Sequence, residues 1–196
     1  TGTLSEEEVN NITIEGVFGP IFVATTLKDM EEKKRRAKLN IQVIELNYSD
    51  EEKTLLKGAD YDTEVKYLET NIKRNNFIKN LALSLHNNTL LLFEHVEHGK
   101  LLYELLKKST NEKNVYLIYG EIDVEEREKI RKIAEKENNA IIVANFRTFS
   151  TGINIKNLHY AIPVHSVKKS IRLLQSIGRG IRKLENKVFT WFDITD

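Results

Sequence analysis

The chain has 196 residues, 40% of them apolar and 30% charged, with 30 Lys plus Arg against 29 Asp plus Glu. That is about one domain of chain, long enough to bury a sizeable core, and a net charge of +1 assigns no partner by itself. Cysteine is absent, which excludes disulfides and thiolate metal sites, and neither a membrane-length apolar run nor a secretory signal pattern is present.

The chain opens TGTLSEEE without an initiator methionine, so part of a longer polypeptide is expected. IFVAT (21–25) reads as a strand or strand end, and Leu27 to Lys38 as a highly charged, solvated helix rather than an interdomain contact. IQVIELNY (41–48) alternates apolar and polar residues, the pattern of a half-buried strand. From Thr63 to Leu85 the pattern is helical, with Val65, Leu68, Ile72, Leu81 and Leu85 inward. A regular rhythm follows: strand TLLLF (89–93), helix HGKLLYELLKK (98–108), strand NVYLIYG (114–120) and helix 123–137, with Asp123 and Glu126 as a capping-box-like start. NAIIVA (139–144) and LHYAIPV (158–164) read as strands, 168–183 as a basic helix and VFTWFDI (188–194) as a last strand.

Nearly continuous apolar strands alternating with helices predict an α/β fold with a mainly parallel sheet covered on both faces. Ligands collect at the carboxyl ends of such strands. The segments after Phe93, Tyr119, Ala144 and Val164 are therefore expected to share one edge, with His95, Gly120, the loop Asn145–Asn154 and the basic helix on it.

No GxxxxGK[ST] loop occurs, so the chain has no phosphate cradle of that type. Asp193 is read as part of a terminal strand rather than as a magnesium-holding carboxylate. In EHVEHG (94–99), His95 and His98 could share a helix face, but spacing indicates no third ligand and no metal site is assigned. His86, His159 and His165 are read as isolated and structural.

Two segments stand out. NFRTFSTGINIKN (145–157) is read as a loop whose hydroxyls at Thr148, Ser150 and Thr151, together with Gly152, can meet a nucleic-acid backbone phosphate. In LLQSIGRGIRK (173–183), Gln175, Arg179 and Arg182 are four and then three residues apart, which places them on one helical face. Gly178 and Gly180 would each cost a helix interior about 1 kcal/mol relative to alanine, so something is expected to approach closely there. Between His165 and Lys187 stand seven basic residues (Lys168, Lys169, Arg172, Arg179, Arg182, Lys183, Lys187) and one acidic, Glu185. Guanidiniums suit planar contact with phosphate oxygens.

QSIGRGIR resembles motif VI (QxxGRxxR) of the superfamily 2 helicases. VANFRTFSTGIN resembles their motif V, LLLFEHVEHG motif IV and the initial TGT motif III. The resemblance spans essentially the whole chain and is strongest to the UvsW-type DNA helicases of T-even bacteriophages, through FEHVEHGK, YGEID, FSTGI and LLQSIGRGIRK. It implies a RecA-like (P-loop NTPase-type) three-layer domain lacking its own Walker A loop. Residues 1–25 would be the end of the first motor domain and linker, and 26–196 the second motor domain.

It further implies that Arg182 is the arginine finger toward ATP, that Arg179 assists there or organises the cleft, and that Gln175 lies on the interdomain face. Gly152 and Asn154 would border the nucleotide, Asn154 standing where many relatives carry an acidic residue. Ser150, Thr151 and Gly152 would touch DNA, with His95 and Lys100 as further phosphate contacts. ATP and Mg2+ would be held mainly by the first domain, so hydrolysis by this chain alone is not expected. Implied partners are single-stranded or branched DNA and the first RecA-like domain of the same polypeptide, with no membrane, in the host cytoplasm. Alternatives are an RNA helicase, a restriction-type translocase subunit, or a non-enzymatic α/β domain binding a phosphorylated ligand or a protein.

Overall fold

Among the described residues six strands pair in parallel throughout: β1 (Lys38–Glu45), β2 (Thr89–Phe93), β3 (Val115–Ile118), β4 (Ile141–Asn145), β5 (Tyr160–Pro163) and β6 (Val188–Thr195), in the order β1-β6-β5-β2-β4-β3. The computed structural model describes residues 8–20, 22, 26–33, 35–152, 155–165, 170–184 and 187–196. The TGT at 1–3, Asn154, and IFVAT apart from Phe22 lie outside them.

The central strands are apolar because both of their faces are covered. Every residue of β2 is buried. Leu90, Leu92, Ile142, Ala144, Phe189 and Trp191 point to one face, where they meet Ala134 of α7 (Val124–Lys136), Phe146 and Phe149 of α8 (Phe146–Gly152) and Ile177 of α9 (Ser170–Gly180). Leu91, Phe93, Ile141, Val143, Phe192 and Ile194 point to the other, against Ile78 and Ala82 of α5 (Ile72–Ser84) and Leu102 and Leu106 of α6 (Val96–Ser109). The period-2 alternation of strand side chains thus yields three layers, as expected.

Several segments differ from the sequence reading. The charged helix is shorter: α2 covers Leu27–Glu32, and the chain is extended by Lys38, where β1 starts. The pattern over 63–85 is two helices, α4 (Tyr61–Thr70) and α5, because extended Asn71 ends the first and caps the second, its side chain accepting from the Arg74 N–H at 3.0 Å. Asp123 does precede α7, yet its side chain caps nothing. The capping box lies instead at Ser49 and Glu52, opening α3 (Asp50–Leu56): the Ser49 N–H donates to Glu52 at 2.9 Å and the Glu52 N–H to Ser49 Oγ at 3.3 Å. The chain also forms α1 (Glu8–Phe18), whose Val9, Ile12, Val17 and Phe18 are exposed.

Candidate nucleotide and nucleic-acid interface

Residues Phe146–Gly152 are helical rather than a loop. Asn145 ends β4, accepts the Arg147 N–H at 2.9 Å and donates its own amide to the Glu94 carbonyl at 2.7 Å. A side-chain oxygen at this position satisfies a first-turn N–H and lets α8 begin directly off the strand. Phe146, Thr148 and Phe149 then face inward and are buried. Ser150, Thr151 and Gly152 form the last turn of α8.

α9 packs against α8, so the two motif-bearing segments are brought together on one face of the sheet. Ser176, Ile177, Gly180 and Ile181 are buried, Gln175 and Arg179 half-buried, and Gly178 and Arg182 exposed. The glycines differ in kind. A β-carbon at Gly178 would meet open space, whereas at Gly180 it would fall onto the ring of Phe189 from β6. Gly180 is therefore the close approach that the sequence pattern announces, and the approaching group is the protein's own core.

The helix ends at Gly180, so Arg182 leaves the helical face that Gln175 and Arg179 share. Its backbone forms an antiparallel bridge with Arg36. The Ala37 N–H donates to the Ile181 carbonyl at 2.8 Å. Buried Lys187 donates from Nζ to the carbonyls of Lys156 at 2.7 Å and Arg182 at 3.3 Å. The guanidinium is thus exposed on a backbone fixed from two sides. It remains close to Arg179, whose guanidinium is held below its ordinary pKa by burial and then by the charge of Arg182.

These contacts correct the expected placement of the basic helix. Lys38 and Val188 are register partners at the starts of β1 and β6, and Arg182 lies beside the residues just before both. Arg182, and with it the C-terminal end of the basic helix, therefore sits at the amino-terminal edge of the sheet. The carboxyl edge carries the start of α8 and, across the sheet, the start of α6. His95 is the residue before α6; its Nδ1 lies 2.8 Å from Glu69 Oε1. Lys100 pairs with Glu97 at 3.6 Å and sits 5.6 Å above the Tyr119 ring.

Sequence reading placed the segment after Val164 at this edge but took His165 as isolated, and it did not single out Glu69. Glu69 Oε1 also lies 3.7 Å from His98 Nδ1 and 3.6 Å from His165 Nδ1. Burial works to raise the Glu69 pKa, but His165, His98 and His95 outweigh it and leave it lowered. The available signal, His95 and His98 three residues apart, was incomplete because the other members come from α4 and the end of β5.

A model of the helicase conserved C-terminal domain matches residues 72–183. The ATP-dependent DNA helicase uvsW of Enterobacteria phage T4 is 38% identical over 200 residues, covering all of this chain and 39% of that protein, so the chain spans about two fifths of its curated relative. The crystal structure of T4 UvsW superposes with a TM-score of 0.69 at 38% identity, over 92% of this chain and 35% of that one. The ATP-dependent Type ISP restriction-modification enzyme LlaBIII, solved bound to DNA, shares the fold at a TM-score of 0.66 and 16% identity, over 92% of this chain and 13% of that one. The DEAD-box protein SrmB of E. coli does so at 0.55 and 15%, over 81% of this chain and 79% of that one. Among the described residues no helix is long and apolar enough to cross a membrane. With its family match over more than half its length and its all-parallel sheet between two helical layers, the chain belongs to the helicase conserved C-terminal domain family and has the fold of the C-terminal part of T4 UvsW, to which it is 38% identical.

Proposed function

We propose that the protein is the C-terminal motor domain of an ATP-dependent DNA helicase or translocase that remodels branched DNA in recombination and repair, within the host cytoplasm. Residues 26–196 are its second motor unit, and 1–25 are the end of the first and the linker. The observation that carries the reading is Arg182: an exposed guanidinium beside half-buried Arg179, on a backbone held by Arg36, Ala37 and Lys187. Stabilisation of developing charge on a transferring phosphoryl group requires a cation already in position, and such an arginine is worth roughly 10³–10⁵ in rate in comparable nucleotide hydrolases.

In this reading Arg182 reaches the terminal phosphate of ATP bound with Mg2+ on the first motor domain. Arg179 assists, Gln175 lines the facing surface, and Gly152 and Asn154 border the nucleotide. The last turn of α8, with Ser150, Thr151 and Gly152, meets the DNA backbone, and His95 and Lys100 add contacts at the carboxyl edge. Contacts of this kind are sequence-independent and weaken with salt. The 38% identity to a protein named an ATP-dependent DNA helicase supports DNA and ATP as the ligands. The test is ATP hydrolysis by the intact polypeptide with forked DNA, linear duplex and RNA as stimulators. Strongest stimulation by forks is expected; equal or stronger stimulation by RNA or linear duplex would replace the branch-remodelling task.

A further inference from the structure

At the carboxyl edge, three imidazole nitrogens surround one carboxylate oxygen. Glu69 Oε1 lies 2.8 Å from His95 Nδ1, 3.6 Å from His165 Nδ1 and 3.7 Å from His98 Nδ1. Donor atoms of Glu69, His95 and His165 all lie within 4.8 Å of one another. The carboxylate and two of the rings are largely shielded, with side-chain exposures of 15% for Glu69, 11% for His165 and 0% for His98; His95 is open at 52%.

The hydrogen bonds around His98 fix its tautomer. The Asn75 amide nitrogen donates to the Glu69 carbonyl at 2.8 Å, so its oxygen is the atom 2.9 Å from His98 Nε2. An amide oxygen only accepts; His98 Nε2 therefore carries a hydrogen and is engaged by Asn75, while Nδ1 is turned toward Glu69. His98 Nδ1 is fully buried and makes no hydrogen bond. His98 Nδ1 and the Glu69 carboxylate thus face one another at 3.7 Å with no hydrogen bond between them, and a buried polar atom left without a partner calls for an explanation such as a bound ion.

We propose that Glu69, His95 and His165 bind a zinc-class divalent cation that clasps α4 to the carboxyl ends of β2 and β5, with buried His98 Nδ1 facing the same carboxylate. Two imidazoles with one carboxylate and no thiolate is a donor set for zinc and its first-row neighbours; calcium and magnesium prefer all-oxygen shells. The outer nitrogens are also engaged, His98 Nε2 by Asn75 and His165 Nε2 by the Tyr61 hydroxyl at 3.5 Å. Partners of that kind orient ligating histidines. Nothing in this inference depends on the helicase reading, since its readout is metal binding by the chain itself.

The experiment titrates metal-free protein with Co2+, follows the visible absorption of tetrahedral cobalt, then displaces cobalt with Zn2+. One equivalent per chain is expected, with His165→Ala and His95→Ala each weakening binding by at least ~100-fold, beyond the 10–100-fold typical of outer-shell changes. Circular dichroism verifies that each variant is folded. Imidazole NMR of the unmodified protein supplies a readout independent of any variant: zinc should shift His95, His98 and His165 together and leave His86 and His159 in place. Absence of saturable binding, binding that both variants keep, or shifts at His86 or His159 instead would overturn the site and leave the four residues as a hydrogen-bonded ion-pair network.

Discussion

The ring of Phe189 on β6 fills the space that a β-carbon on Gly180 would need. Gly180 closes α9 two residues before Arg182, so the spacing between helix and sheet at this point sets where the arginine is presented. The two glycines of GRG-bearing α9 therefore have opposite expectations. Gly180→Ala should destabilise the fold by about 1–3 kcal/mol, because overpacking outweighs the gain in helix propensity. Gly178→Ala meets open space and should be neutral or stabilising by up to about 1 kcal/mol. Urea denaturation of the two variants checks the pair; equal effects would mean that the Phe189 contact is not the reason for Gly180.

Arg182 is exposed, with its backbone rather than its side chain tied into the fold. Arg182→Ala in the intact polypeptide should leave the melting temperature within about a degree and DNA affinity nearly unchanged. DNA-stimulated ATP turnover should fall by about 10³-fold or more. Arg182→Lys should restore little, because a point-charge ammonium does not reproduce the guanidinium fork. A variant that hydrolyses ATP like the parent would make the 173–183 segment an ordinary basic helix.

Arg74 links the carboxyl ends of two strands to α5. It is buried, donates to both carboxylate oxygens of Asp196 (Nε to Oδ1 2.7 Å, Nη2 to Oδ2 2.9 Å) and gives Nη1 to the Val164 carbonyl at 3.0 Å. Removing one member of such a pair strands the other in low dielectric. Arg74→Ala should therefore cost about 3–5 kcal/mol, and Asp196→Ala, which strands the buried cation, a comparable amount. If the double variant loses as much stability as the two single variants together, the coupling read from this geometry is absent.

Lys187 supplies a pH test. Burial pushes its ammonium down to about 8, whereas in the unfolded chain it titrates near its ordinary value of about 10.4. Between those values the unfolded state holds more protons than the folded state, so stability rises with pH. The penalty is complete below pH 8 and is relieved on going from about pH 8 toward 10, where tyrosines begin to ionise in the unfolded chain. A gain of about 1–2 kcal/mol over that range is expected, read from thermal melts, and Lys187→Met should flatten it. An unmodified protein whose stability falls steadily from pH 8 to 10 would contradict the assignment.

What could be read from the amino-acid order was local. The apolar stretches in 89–93 and 139–144 identify strands buried on both faces, because only such strands can forgo alternation. QSIGRGIRK and FSTGI carry the family resemblance since their side chains are neighbours along one chain. Tertiary structure decided the rest. The capping of α8 by Asn145 turned an expected loop into a helix, and packing of Phe189 under Gly180 gave the glycine its reason. Pairing of Arg36 with Arg182 moved Arg182 to the amino-terminal edge of the sheet. The cluster of Glu69, His95, His98 and His165 joins residues up to 96 positions apart. The strand order of the reading placed the segments after Phe93 and Val164 at one edge. Spacing along a chain, however, reports contacts within a helix or strand, and nothing in it specifies that Glu69 from α4 will meet His95 and His165 there.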